Sequence, residues 1–117
     1  MERETDGFLP LAPATLHILL AMAGDKIYGY AIMQEVARQS GGRYKLGPGT
    51  LYDNLQRLMK QGLVEEVAGP AGEESPRRRY YQLTGLGRGV LTAEIDRLDA
   101  VVELGRVHLR SPLAGRA

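Results

Sequence analysis

The fold is decided by residues 46–62, which read LGPGTLYDNLQRLMKQG. Pro48 favours a helix start, because the first position of a helix tolerates a residue without an N–H, and Gly62 favours a left-handed helix end. Four apolar side chains between them recur at helical spacing: Leu51, Leu55, Leu58 and Met59. The stretch therefore predicts one amphipathic helix whose leucine face is buried in a core.

The opposite face of this helix carries side chains suited to nucleic acid. The hydrogen-bond donors that can reach phosphates or base edges are Thr50, Gln56, Arg57 and Lys60. Arg57 has a second interpretation, as a helix-surface partner of Asp53, which precedes it by one turn. Tyr52 lies at the edge of the apolar stripe, where it either donates its hydroxyl to a phosphate or packs on the first helix. The sequence leaves both alternatives open.

Two further helices are predicted upstream, over residues 13–23 and about 28–40. The second of them carries Ile32 and Val36 stacked on one apolar face. Residues 1–12 are expected to form a flexible N-terminal arm.

Two β-prone runs follow the deciding stretch, residues 63–67 and 79–83. The segment between them, residues 69–76, is rich in Gly and Pro, which predicts a hairpin with a long loop. Alternation along a strand turns Tyr80 and Tyr81 to opposite faces. One of the two tyrosines is therefore expected in the core and the other at the surface or against DNA.

The order helix, helix, helix, hairpin over residues 13–84 is that of a winged helix-turn-helix domain, a mainly α fold with a small β-hairpin (α+β). In this arrangement the third helix enters a major groove and the hairpin, or wing, reaches the neighbouring backbone. Arg77, Arg78 and Arg79 stand where the hairpin loop meets its second strand. Alternation turns Arg77 and Arg79 to one face and Arg78 to the other, so one or two of the three are expected to contact DNA.

A last helix is predicted over residues 85–110, capped by Thr84 and followed by a tail, residues 111–117, that is expected to be disordered. Its apolar positions form a heptad-like seam, whose large members are Leu91, Ile95, Leu98, Val102 and Leu109. The seam either packs on its own domain or pairs with a second copy. Dimerisation is favoured, because one winged helix buries too little DNA surface to be selective, whereas two half-sites roughly 34 Å apart provide enough.

Composition limits the class of protein. The chain has 117 residues, enough for one domain, and no cysteine, which excludes disulfides and thiolate metal sites. The net charge is only +1, but residues 41–90 carry eight basic and five acidic side chains. The positive charge thus lies in the part of the chain where a DNA-facing surface is predicted.

Other function classes find no support in the sequence. No nucleophile–base or paired-carboxylate arrangement is evident, so neither an enzyme nor a bound cofactor or metal is expected. The acidic N-terminus does not resemble a signal peptide, and the longest apolar run, around residues 16–23, is too short to span a bilayer. A cytoplasmic protein without membrane association is therefore expected.

Six segments, in order and correctly spaced over roughly residues 13–90, resemble the PadR family of regulators. They are residues 29–32 (GYAI), 46–52 (LGPGTLY), 55–58 (LQRL), 61–64 (QGLV), 78–84 (RRYYQLT) and 87–88 (GR). The single C-terminal helix resembles the shorter branch of that family. The chain contains no tryptophan, which argues against the sandwich of flat ligands made by drug-sensing members of that branch.

The resemblance implies a homodimeric repressor that binds double-stranded DNA at a partly palindromic operator and is released by a small-molecule effector. It makes residues 50–60 part of the recognition helix and puts Tyr30 and Tyr52 near the DNA backbone. The full set of predicted DNA-binding residues is Tyr30, Lys45, Gly49, Thr50, Tyr52, Gln56, Arg57, Lys60, Arg77 and Arg79. The alternative is a winged-helix protein–protein module that does not bind DNA, which the weak net charge allows.

Overall fold

The computed structural model describes residues 4–71 and 78–110. A short 3-10 helix, Asp6–Phe8, precedes the first α-helix. The four α-helices are α1 (Pro13–Ala21), α2 (Gly29–Gln39), α3 (Pro48–Lys60) and α4 (Gly85–Arg110). The three strands are β1 (Ile27–Tyr28), β2 (Val64–Val67) and β3 (Tyr80–Leu83). The predicted mainly α fold with a small β element is confirmed, with helix boundaries within about two residues of those expected.

The core forms where the apolar stripes of the helices meet. Leu51, Leu55 and Leu58 of α3 are fully buried, as the spacing predicts. They join Ile18 and Leu19 of α1 and further residues of α2, β2, β3 and α4 in one cluster. Burying a leucine or isoleucine side chain contributes about 1.5–3 kcal/mol relative to leaving it in water. This packing fixes which face of α3 is turned outward.

The β element is a three-stranded antiparallel sheet in the order β1-β3-β2, not a two-stranded hairpin alone. In β1, Ile27 pairs with Tyr81 and Tyr28 pairs with Tyr80. Tyr80 and Tyr81 are both buried, and the ring of Tyr28 on the added strand lies 5.7 Å from that of Tyr80. The expectation that one of these tyrosines is exposed was therefore wrong. Its premise, a hairpin with a free edge, ignored the two residues before α2.

Residues 4–12 of the predicted N-terminal arm are described, and from residue 5 onward they lie against the domain. Phe8, Leu9 and Leu11 pack on the hydrophobic core. The backbone N–H of Leu11 donates a 2.8 Å hydrogen bond to the Glu94 carboxylate on α4. Apolar burial and this hydrogen bond together order a segment that composition alone presents as a tail.

Helix α4 begins on the sheet and continues beyond the core. Thr84 caps it as predicted, since its hydroxyl accepts a 3.0 Å hydrogen bond from the N–H of Gly87. The predicted tail, residues 111–117, lies outside the described residues. Within the described ranges, no helix has both the length and the apolar character needed to cross a membrane.

Candidate nucleic-acid interface

The outward face of α3 is set by the burial of its leucines. With that face packed inward, the predicted contact residues on the helix are all exposed: Gly49, Thr50, Tyr52, Gln56, Arg57 and Lys60. Pro48 occupies the first turn of the helix, as the sequence predicts, and Gly47 is its N-cap residue. Lys45 is also exposed, in the segment that leads from α2 into α3. The structure therefore brings these predicted residues to one side of the domain.

Arg57 is engaged within the protein. Its guanidinium donates to the Asn54 side-chain oxygen at 2.7 Å and to the Thr15 hydroxyl at 3.2 Å. The predicted intramolecular partner, Asp53, is not the one it uses. Because Thr15 is buried on α1, the second of these bonds ties α3 to α1, whereas the first lies within α3. Sequence reasoning missed Thr15, for which the only signal is a polar side chain on the apolar face of α1.

A cleft of about 390 Å³ lies where α2, α3 and β3 meet. Its lining consists of Tyr28, Gly29, Tyr30, Tyr52, Arg78 and Arg79. Tyr30 and Tyr52 are 58% and 44% exposed, so part of each side chain is accessible from solvent. The two tyrosines and two arginines are the groups that protein surfaces use to hold backbone phosphates.

Tyr52 packs on the start of α2 rather than on α1. A Cβ built on Gly29 would lie only 2.3 Å from the Tyr52 hydroxyl oxygen, so no larger residue is accommodated at position 29 with Tyr52 in this orientation. The exposed part of the same ring faces the cleft. The packing alternative therefore named the wrong helix, and the phosphate contact of Tyr52 stays a prediction.

The two arginines directly before β3, Arg78 and Arg79, take different partners. The Arg78 guanidinium lies 4.7 Å from the centroid of the Tyr28 ring, a cation–π contact. An Arg79 nitrogen lies 3.9 Å from a Glu66 carboxylate oxygen on β2. Both side chains remain exposed and line the cleft. Arg77 lies outside the described residues. The sequence did not rank Arg78 and Tyr28 among the site residues, because β1 and its approach to the cleft were not foreseen.

A second, smaller cleft of about 200 Å³ adjoins the first between α3 and β3. The two share Tyr52 and Arg79. Tyr81 lines its inner end, and burial raises the pKa of its hydroxyl, with the nearby carboxylate of Glu66 adding to the rise. Tyr81 is therefore a neutral, structural part of the wall, which it shares with the exposed Gln56.

The predicted dimerisation residues divide into two groups. Leu91 is 6% exposed and belongs to the core of its own domain. Ile95, Val102 and Leu109 are exposed, and Leu98 is half-buried. The structure thus separates Leu91 from the apolar seam, because the first turns of α4 pack on the sheet and the later turns do not.

Metal binding has no support in the described part of the chain. Across residues 4–71 and 78–110, no three His, Asp or Glu side chains come together in a way that could hold a metal ion. His17 accepts a hydrogen bond from the Gln39 amide at its backbone oxygen (2.6 Å), and the same amide lies 3.1 Å from its ring nitrogen. These contacts join α1 to α2.

The chain matches the model of the PadR-like family of transcriptional regulators over residues 18–93. A transcriptional regulator of Mycobacterium tuberculosis is 36% identical over 83 residues, covering 71% of this chain and 73% of the relative. An uncharacterised protein of Lysinibacillus sphaericus is 31% identical over 77 residues, covering 66% and 70% of the two chains.

Solved structures share the fold. A PadR-like transcription factor from Bacteroides fragilis superposes with a TM-score of 0.63 at 26% identity, covering 79% of this chain and 85% of the other. A PadR-like regulator from Bacillus cereus superposes with a TM-score of 0.68 at 22% identity, covering 90% and 94% of the two chains. The similarity extends across the winged helix and onto the C-terminal helix.

Proposed function

The chain belongs to the PadR-like family of transcriptional regulators, whose members bind DNA and are not enzymes, and from that membership we propose that it is a homodimeric repressor of a palindromic operator. The proposal rests on one observation above all. The exposed polar face of α3 and the cleft that holds Arg78 and Arg79 are adjacent, because Tyr52 belongs to both. The smaller adjoining cleft contains Tyr52 and Arg79 together with Gln56 of α3. A base-reading surface and a phosphate-holding surface thus lie side by side.

In this proposal α3 enters the major groove while the cleft follows the sugar–phosphate backbone beside it. Phosphate contacts from Tyr30, Tyr52 and Arg79 fix the register of the protein on the duplex without reading its sequence. Lys45 adds a positive charge at the N-terminal end of α3. The alternative of a winged-helix module that does not bind DNA is disfavoured, because the family match over residues 18–93 includes all of α2, α3 and the sheet.

We assign dimerisation to the outer half of α4. Its seam, formed by Ile95, Leu98, Val102 and Leu109, has no packing partner of sufficient size within the described chain, and three of the four side chains are exposed. A contiguous row of exposed apolar side chains on a soluble helix is typical of an interface. A second copy supplies the same seam, so a two-fold axis through α4 buries both rows at once.

Two-fold symmetry sets the form of the operator. The two copies of α3 lie in successive major grooves, so the half-site centres are spaced about 34 Å, or one helical turn, apart. A dimer bound to such a site within a promoter prevents RNA polymerase from binding there. The protein acts in the cytoplasm, where the operator DNA is located. Repression by occlusion then requires only tight binding.

Release is assigned to a small organic effector that changes the spacing of the two recognition helices. An effector acts in this way only if it binds one spacing better than the other. A cleft of about 400 Å³ between the N-terminal segment and α4 has the volume for such a ligand. Its lining includes Thr5, Arg88 and Asp96. Because it lies beside the proposed dimer helix, occupancy there bears on the angle of α4.

Selection from a random duplex library tests the proposal. We expect the enriched sequences to share an inverted repeat, and sedimentation equilibrium to give the mass of two chains. Transcription in vitro from a promoter that overlaps the selected site should fall as protein is added. Enriched sequences without symmetry, or a monomer at micromolar concentration, would contradict the homodimer, and increased transcription would contradict the repressor.

A further inference from the structure

We propose that Asp53 reads a cytosine in the operator, by accepting a hydrogen bond from its exocyclic N4 amino group, and that Gly49 lacks a side chain to let that base approach. Arg57, in this account, is a structural tie and not a base reader. The inference rests on the proposed function, because it presupposes that α3 enters a major groove. It adds which residue of α3 discriminates between bases.

The position of Asp53 on α3 is the first support. Asp53 is two residues from Leu51 and two residues from Leu55, both fully buried. Since each residue of an α-helix turns by about 100°, a separation of two residues places Asp53 on the side opposite the core. Asp53 therefore stands near the centre of the face that enters the groove, while Tyr52 and Thr50 lie on its flanks.

The second support is that the Asp53 carboxylate is uncommitted. Among the described residues it makes no hydrogen bond and no ion pair, and it is exposed. Arg57, one turn further along, is the residue that would ordinarily neutralise it. The Arg57 guanidinium instead donates hydrogen bonds to Asn54 and Thr15. An acidic side chain is thus presented bare on a surface that faces polyanionic DNA.

Gly49 supplies the third support. It lies in the first turn of α3, where glycine costs helix stability relative to alanine. A Cβ built there would meet no atom within 4 Å, and its φ is not positive, so neither packing nor backbone conformation in the described chain requires glycine. Asp53 follows by four residues, and helical side chains lean toward the N-terminus, so its carboxylate lies over the turn that contains Gly49.

The chemistry of the major groove selects the base. A carboxylate only accepts hydrogen bonds, and on the major-groove edge cytosine offers the N4 donor. Guanine presents two acceptors and thymine an acceptor and a methyl group, so neither can donate to Asp53. Adenine has the N6 donor, but its N7 acceptor lies beside it and repels the carboxylate. Repulsion between Asp53 and the phosphates reduces the affinity for every DNA sequence equally. Asp53 therefore lowers the overall affinity but increases the difference in affinity between sequences.

The test compares the full-length wild type, Asp53→Ala and Gly49→Ala on the selected operator and on duplexes with single base-pair substitutions in each half-site. For the wild type we expect one C·G pair whose replacement weakens binding about 5- to 150-fold, the range of a good base contact. For Asp53→Ala, the affinities for the four duplexes that differ only in this base pair should lie within about threefold of one another. This variant should also bind the substituted duplexes at least as tightly as the wild type does, because phosphate repulsion is removed.

Gly49→Ala should weaken operator binding while the midpoint of thermal unfolding stays the same or rises, since alanine is the better helix residue. The opposite directions separate occlusion of the groove from misfolding. Arg57→Ala serves as the comparison variant. It should lower the unfolding midpoint and weaken operator and random duplex by the same factor, without changing the base preference at any position.

The outcomes distinguish this inference from the function on which it rests. If the wild type binds every duplex equally, the proposed function fails. If the wild type discriminates and Asp53→Ala keeps the same preference at every position, the inference fails while the function stands. If Asp53→Ala loses discrimination at an A·T pair instead of a C·G pair, the cytosine assignment is overturned. If Arg57→Ala loses a preference for guanine, Arg57 is a base reader and not only a structural link between α3 and α1.

Discussion

Glu94 and Leu11 are 83 positions apart in the chain and are joined by a 2.8 Å hydrogen bond from the Leu11 N–H to the Glu94 carboxylate. The Arg97 guanidinium donates to the same carboxylate at 2.5 Å. Glu94 is 1% exposed, so its charge is stabilised by these two donors rather than by water. The contact fastens the N-terminal segment to α4 where that helix leaves the core.

Glu94→Ala should therefore lower the free energy of unfolding by roughly 1.5–3 kcal/mol, the usual contribution of a hydrogen bond to a charged group. Urea denaturation followed by circular dichroism measures it. Glu103→Ala is the control on the same helix. Glu103 has an exposed partner, Arg110, at 3.7 Å, and this change should leave the urea midpoint unaltered. Equal effects of the two changes would show that the Glu94 contact does not hold the fold.

The stability that Glu94 supplies should depend on pH. The Arg97 hydrogen bond, together with that from Leu11, holds the pKa of the Glu94 carboxyl below its ordinary value. A carboxyl with a lowered folded-state pKa stabilises the protein above its unfolded pKa, about 4.3, and the stabilisation is lost as the pH falls through the folded-state value. The difference in unfolding free energy between wild type and Glu94→Gln should be constant from about pH 6 to 8 and shrink below about pH 4. A difference that grows on acidification would contradict this assignment.

Gly87 allows α4 to approach Leu63, the residue before β2, and substitution there should destabilise the domain. A Cβ at position 87 would lie 1.9 Å from the Leu63 carbonyl oxygen, a backbone atom that cannot rotate away. We expect Gly87→Ala to cost about 1–3 kcal/mol or more. Gly85→Ala is the matched control, because a Cβ there meets nothing within 4 Å and alanine favours the helix. A stability of Gly87→Ala equal to that of the control would mean that α4 does not pack this closely.

The seam of α4 should govern assembly. Val102→Asp places a charge within the proposed dimer interface and should shift the protein to monomers in sedimentation velocity runs. Val107→Asp is the control, since both valines are about half exposed, at 49% and 48%, on the same helix. They are five residues apart, or about 140° around the axis. If Val107→Asp dissociates the dimer and Val102→Asp does not, the interface lies on the other face of α4.

Arg79 should contribute affinity without specificity. Because it is assigned to a backbone phosphate, Arg79→Ala should weaken binding to operator and random duplex by similar factors and reduce the slope of log K against log salt by about 1 per chain. Arg38→Ala also removes one positive charge, but at the far end of α2, where Arg38 pairs with Glu35. An unchanged salt slope in Arg79→Ala would place this side chain away from the phosphates.

The sequence predicted α3, its caps and its buried leucines, because these depend on spacing and on Pro and Gly within one continuous stretch. It missed β1, which has only two residues and exists because Tyr80 and Tyr81 pair with it from more than 50 positions away. Tyr80 was misplaced for the same reason. The partners of Arg57 were likewise unforeseen, since Thr15 comes into reach only once α1 and α3 have packed.

The sequence also failed to separate Leu91 from the rest of the seam, for a similar reason. Steps of four and three residues run without interruption from Leu91 to Leu109, and nothing in the spacing marks where α4 leaves the core. Packing on the sheet buries Leu91, whereas Ile95, one turn on, is exposed. The periodicity of a long helix therefore predicts an apolar face but not which part of it is covered by its own domain.

The central claim is that α3 and the adjacent cleft form a sequence-specific DNA-binding surface. Fluorescence anisotropy with a labelled duplex of the selected operator tests it most directly, at several salt concentrations and with a scrambled duplex of the same length as control. We expect binding to weaken steeply as salt rises and to be about 10³-fold or more tighter for the operator than for the scrambled duplex. Equal, weak binding to both duplexes would contradict the claim.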